Sequence, residues 1–273
     1  MGQIPIGTTA RSIERCFSPA RDLSISPDVQ NELYLGGLVT ALFYLFVGAR
    51  LMRPAAVAGE APERLLGWLF LVSGISYLLY GIPVSEARVT PMVLAARIVY
   101  LPAPVLLAVF TRRVFRPREP WAAWLVYATA FLMVASLGTS LLYGDWEGFS
   151  LASPWFWSEW LGYTLPFGWA GIETLHQHAQ ARRRLALGLC TPVVCNRFLL
   201  WGLFGVAQVT TSLAILGQYA DYARHGVWSG GWDLLVSAIE IPSIVLISLV
   251  FFPPERYRRW IASRILPDAQ AAR

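Results

Sequence analysis

Read for hydrophobic and polar positions, the chain falls into seven apolar runs separated by short polar connections. They lie at about Tyr34–Met52, Leu65–Ile82, Pro91–Phe110, Trp121–Tyr143, Pro154–Leu175, Asn196–Gln218 and Trp232–Phe252. Each approaches the roughly 20 residues that a helix needs to cross a bilayer, so the pattern predicts seven transmembrane helices. The resulting fold class is an all-α polytopic membrane protein. The division is residues 1–33 before the first helix, 34–252 as a seven-helix bundle, and 253–273 as a tail. No connection has room for an inserted soluble domain.

Beyond Pro253-Pro254, arginines alternate with Tyr257, Trp260, Ile261 and Ile265 over Glu255–Leu266. This pattern suits a short amphipathic helix lying on a membrane surface. The first 33 residues hold no apolar stretch of signal-peptide type. Ile6 stands where a myristoylation signal needs a hydroxyl residue.

Composition agrees with the pattern. Of the 273 residues, 56% are hydrophobic and 14% charged, with a mean hydropathy of +0.49. A soluble domain carries about a quarter of its residues as charges. The deficit excludes an ordinary soluble enzyme, a disordered chain and a nucleic-acid-binding domain. The net charge of +5 reflects arginines at the ends of the apolar runs, not a patch for an anionic partner.

Those arginines set an orientation. Sixteen follow predicted helices 1, 3, 5 and 7, five lie on the opposite side, and Arg97 falls within helix 3. The positive-inside rule then places the N-terminus outside and the C-terminus in the cytoplasm, in a bacterial inner membrane. Trp146, Trp155, Trp157, Trp160, Trp228 and Trp232 gather at the outer ends, where an interfacial aromatic belt accounts for most of them.

Three weak sequence matches recur in one order and suggest a parallel 3+1+3 repeat. Asn31-Glu32-Leu33 matches Ser158-Glu159-Trp160, and Arg64-Leu65-Leu66-Gly67-Trp68 matches Arg197-Phe198-Leu199-Leu200-Trp201. Pro102-Ala103-Pro104-Val105-Leu106-Leu107 matches Pro242-Ser243-Ile244-Val245-Leu246-Ile247. Helix 4 would be the connector.

Ionisable residues inside a bilayer are costly and ask for partners. At 1.5 Å per residue, Arg97 lies about 9 Å below the head of its helix, Glu159 about 8 Å, and Glu240 about 12 Å. Gln208 falls at a similar middle depth. With Tyr77, Tyr80, Tyr100 and Tyr163 these residues form a candidate ligand-binding cavity in the outer half of the bundle. The binding set is Arg97, Tyr100, Glu159, Tyr163, Gln208 and Glu240. The structural alternative is that Arg97 and a glutamate neutralise each other and tie helices together. Glu240, beside the helix-kinking Pro242, is the expected functional acid, either protonated or paired with Arg97.

Glu173 and His176 have a metal-ligand spacing, but a single Glu-x-x-His without further carboxylates suits a solvated helix end better. No metal site is expected. Cys16, Cys190 and Cys195 form no redox pair or zinc motif. All 22 basic residues are arginine, so no retinal or pyridoxal Schiff base can form, and no cofactor is expected. No nucleophile–base constellation or phosphate loop marks an enzyme.

The seven-helix, N-out arrangement resembles microbial rhodopsins and the wider 3+1+3 group that includes sugar and vitamin transporters. In rhodopsins an acid on helix 7 precedes the retinal lysine by four residues. Glu240 matches the acid, while Ile244 occupies the lysine position and Tyr100 replaces an expected helix 3 acid after Arg97. The resemblance therefore implies architecture without retinal. The stretch Arg182–Gly202, with Asn196-Arg197-Phe198, is also similar to seven-helix sensory modules of bacterial signalling proteins. The outer-half polar cluster together with the all-arginine cytoplasmic face points to a receptor-like or sensor-like module that binds a small, partly apolar ligand and acts through a cytoplasmic signalling partner or a second copy. The alternative is a small-solute transporter, with an intramembrane enzyme as a third reading. Lipid is the surrounding partner, and no nucleic acid is implied.

Overall fold

The computed structural model describes residues 27–58, 61–80, 86–143, 151–226 and 229–271. Ile82, Trp146, Trp228, Cys16 and the early arginines Arg11, Arg15 and Arg21 lie outside these residues. The side chains of Asn31, Glu32, Leu33 and Tyr80 do too. Among the described residues all regular structure is helical.

The helices in chain order are α1 (Pro27–Ala58), α2 (Ala61–Tyr80), α3 (Glu86–Tyr100), α4 (Pro102–Phe115) and α5 (Pro120–Tyr143). They continue with α6 (Pro154–Ala186), α7 (Pro192–His225), α8 (Gly230–Phe251) and α9 (Glu255–Ala271). Among the described residues four stretches are long and apolar enough to cross a membrane: Pro91–Phe115, Pro120–Leu142, Pro192–His225 and Gly230–Phe251. The chain is thus a helical membrane protein.

Proline starts α4, α5, α6 and α7, where its missing N–H would be unbonded in any case. At the head of α7 the Thr191 hydroxyl accepts a hydrogen bond from the Val194 amide. Gly226 ends that helix at φ +67°, its N–H donating to the Tyr222 carbonyl, a conformation that favours glycine.

Several boundaries differ from the hydropathy pattern. α6 runs to Ala186 instead of stopping at Leu175, α7 begins at Pro192 rather than Asn196, and α1 begins at Pro27. Hydropathy marks where apolar side chains end, whereas a helix continues through polar residues as long as its backbone bonds are satisfied. Within the third apolar run prolines 102 and 104 remove backbone donors, while Leu101 keeps helical angles and its N–H donates to the Arg97 carbonyl, so α3 and α4 form one stretch across Pro91–Phe115.

Two units divide the chain at Gly36. The described part of the first is the opening of α1. In the second, Gly37–Arg273, consecutive helices from α4 to α8 pack as neighbours; α2 packs on α3 and α4, α4 on α6, and α9 on α7. The α6–α7 interface is the closest, with Gly171 backbone against Gly205. One large apolar core joins Val47, Phe70, Leu107, Phe167, Leu200, Trp201, Phe204 and Ile247. It lies toward the end where α2 and α7 begin and α8 finishes.

Candidate functional site

The opposite half of this unit holds a cluster of polar residues around Arg97. Arg97, near the end of α3, is buried. Its guanidinium donates to Glu159 at 2.5 Å, to Ser140 at 2.9 Å and to Ser136 at 3.1 Å. It also lies 4.7 Å above the Trp155 ring. Ser136 in turn donates to the same Glu159 oxygen at 3.1 Å. An arginine held by one carboxylate, two hydroxyls and an aromatic face satisfies the demand for partners of an intramembrane cation.

The expected partner Glu240 is not the one chosen. Arg97, near the end of α3, meets Glu159 in the second turn of α6, whereas Glu240 lies midway along α8. Glu240 is half-buried and makes no hydrogen bond or ion pair with the described residues. Ser136 and Ser140 were absent from the sequence-derived site. Two serines four apart in an apolar helix put both hydroxyls on one face, and that spacing was the available signal.

Beside this cluster lies a cavity of about 300 Å³, at the small end of the roughly 300–1,000 Å³ common for ligand sites. Helix α6 supplies Trp155, Phe156, Glu159, Trp160 and Tyr163. Helix α7 supplies Thr211, Ser212, Ile215 and Tyr219, with Ser76 and Tyr77 from α2, Tyr100 from α3 and Glu240 from α8. Of the sequence-derived set, Tyr100, Glu159, Tyr163 and Glu240 reach this wall. Arg97 instead stands behind Glu159, and Gln208 lies just beneath, accepting a 2.5 Å hydrogen bond from the Tyr163 hydroxyl.

The walls are braced. The Trp160 indole donates to the Ser212 carbonyl at 2.9 Å, Thr164 and Ser212 hydroxyls bond at 2.5 Å, and Phe156 meets Tyr219 edge-on at 5.0 Å. Thr211 is 2% exposed, and its hydroxyl has no hydrogen-bond partner among the described residues. A buried hydroxyl left unpaired costs about 1–3 kcal/mol. Trp155 and Trp160 are thus wall residues, which a belt of interfacial tryptophans does not explain.

Below the cavity the aromatic rings close ranks. Tyr163 packs on Phe167 at 4.8 Å, Phe167 on Phe204 at 6.0 Å and Phe204 on Trp201 at 6.0 Å. Trp201 then meets Phe251 at 5.6 Å, and Phe251 meets Phe70 at 5.8 Å. A space of about 30 Å³, room for a water or two, remains among Gln208 and these rings.

At the far end, Glu173 corrects the reading of a solvated helix terminus. It is 4% exposed, accepting from Arg116 at 2.9 Å and from the Trp169 indole at 3.2 Å. That hydrogen bond and charge raise the Arg116 pKa above its ordinary value. His176 bonds Gln180 instead, and His178 meets the Cys195 carbonyl at 2.9 Å. Glu173 and His176 therefore do not converge, and no metal-binding group of histidine, cysteine and carboxylates occurs among the described residues. No family model, curated protein or solved structure matches this chain.

Proposed function

We propose that the chain is a seven-helix, N-out module of a bacterial inner membrane that senses a small, partly apolar ligand. The three further spans are α1, α2 and α6, flanked by the arginine-rich connections that favour the cytoplasm. In that orientation the cavity of about 300 Å³ opens toward the outside. The observation that carries the reading is this cavity at one end above a packed aromatic plug. A site filled from one face, with a solid layer beneath it, suits a protein that registers a ligand rather than passes it. The signal would leave through the arginine-rich face to a separate partner.

A small-solute transporter is the second reading. Prolines 102 and 104 remove backbone donors just after Tyr100 in the cavity wall, and transporters place helices interrupted by such residues at their binding sites.

Proteoliposomes separate the two. Radiolabelled 2-phenylethylamine, chosen for the wall chemistry below, is offered at the outer face and both bound and internal label are counted. Saturable binding without internal accumulation beyond empty vesicles is expected for a sensor. Accumulation that depends on the protein and saturates would replace the sensor reading with the transporter.

A further inference from the structure

We infer that the cavity binds a small protonated amine carrying an apolar or aromatic body. This assignment rests on the ligand-site reading above and gives it a chemical class.

Three independent features converge. The first is charge. Glu159 is neutralised by Arg97, whose donors are turned to Glu159, Ser136 and Ser140. Glu240 reaches the same cavity with no cation or hydrogen-bond donor from the described residues. An acid within a membrane bundle is costly without a counter-charge, and a cationic ligand supplies one.

The second is the wall. Trp155, Phe156, Trp160, Tyr163 and Tyr219 line the space. Aromatic faces attract ammonium groups through the ring quadrupole, and they also bury the carbon body of the ligand. Arg97 over Trp155 at 4.7 Å is the same interaction made by the protein's own cation.

The third is Thr211, a residue of the cavity wall whose buried hydroxyl has no hydrogen-bond partner among the described residues. It can accept from an ammonium N–H, which a quaternary ammonium does not offer. A carboxylic acid ligand would instead face Glu240 as a like charge.

The experiment uses the purified protein in nanodiscs and three probes of one shape. 2-Phenylethylamine is a cation at pH 7, 2-phenylethanol is neutral, and phenylacetate is an anion. Calorimetric titration is expected to give a Kd for the amine at least tenfold below that of the alcohol, with phenylacetate weakest. Glu240→Gln should bring the amine to the affinity of the alcohol, while Glu240→Asp keeps the order of the three probes.

Equal or tighter binding of the alcohol or of phenylacetate would overturn the amine assignment and leave the ligand-site reading standing. An amine affinity that survives Glu240→Gln would also overturn it. If none of the probes binds at millimolar concentration and none changes Trp155 or Trp160 fluorescence, both the assignment and the ligand-site reading fall.

Discussion

The ion pair between Arg97 and Glu159 gives the sharpest test, because each partner leaves a different remainder when the other is removed. Glu159→Gln leaves a guanidinium that is 8% exposed and has no neutral form within reach. Breaking a buried pair from one side costs roughly 3–5 kcal/mol. The low end, about 3 kcal/mol, applies because Ser136, Ser140 and Trp155 remain. Arg97→Gln forfeits three donated bonds, each about 0.6 kcal/mol between membrane helices, and the stacking on Trp155. The remaining Glu159 is 30% exposed, keeps the Ser136 hydroxyl and is able to take up a proton, so about 2 kcal/mol is expected. The double variant strands no charge and should also lose only about 2 kcal/mol, a coupling of about 3 kcal/mol. Glu240→Gln, which breaks no pair and removes an acid without a counter-charge, serves as the control and should not lower stability. Equilibrium unfolding in mixed micelles, followed by circular dichroism, measures all four. A double variant destabilised by the full sum of its two singles would refute the pairing, as would a large loss for Glu240→Gln.

Glycines on the α6–α7 seam should respond unequally to a methyl group. A Cβ at Gly205 would lie 2.6 Å from the Gly171 Cα and 3.0 Å from the Phe167 carbonyl oxygen, whereas one at Gly171 meets its nearest atom at 3.3 Å. Gly205→Ala should therefore cost about 2 kcal/mol or more by forcing the helices apart and Gly171→Ala clearly less, as read in the same unfolding assay. Arg116→Ala removes the cation from buried Glu173 and should lower stability measurably in that assay. Arg113→Ala, at an exposed position in the last turn of α4, should stay within about 0.5 kcal/mol. Topology is read from Cys190, in the connection between α6 and α7: in a Cys16→Ser background, a membrane-impermeant maleimide should label Cys190 in intact cells only after the inner membrane is opened. Labelling of unopened cells would reverse the N-out orientation.

Much of this protein follows from one-dimensional information. An apolar run of about 20 residues is a helix whatever surrounds it, because a backbone in lipid must satisfy its own hydrogen bonds. Thus the all-helical character, the membrane setting and the polar residues to watch were legible from spacing and composition. Four of the six proposed binding residues reach one cavity wall for the same reason, since depth along a helix follows from counting residues.

What counting leaves undetermined is the rotation of each helix about its axis and the choice of neighbour. Those depend on packing, and packing selected Glu159 over Glu240 as the partner of Arg97 by bringing α6, α3 and the Ser136–Ser140 face of α5 together. The same packing set Trp155 and Trp160 in the cavity wall, buried Glu173 against Arg116, and left the Thr211 hydroxyl without a hydrogen-bond partner among the described residues. Such contacts join residues from 23 to 62 positions apart, beyond the reach of any local pattern. The sequence therefore determined which residues had to find partners in lipid, and the tertiary structure alone decided which partners they found, because pairing is a property of facing surfaces and not of position along the chain.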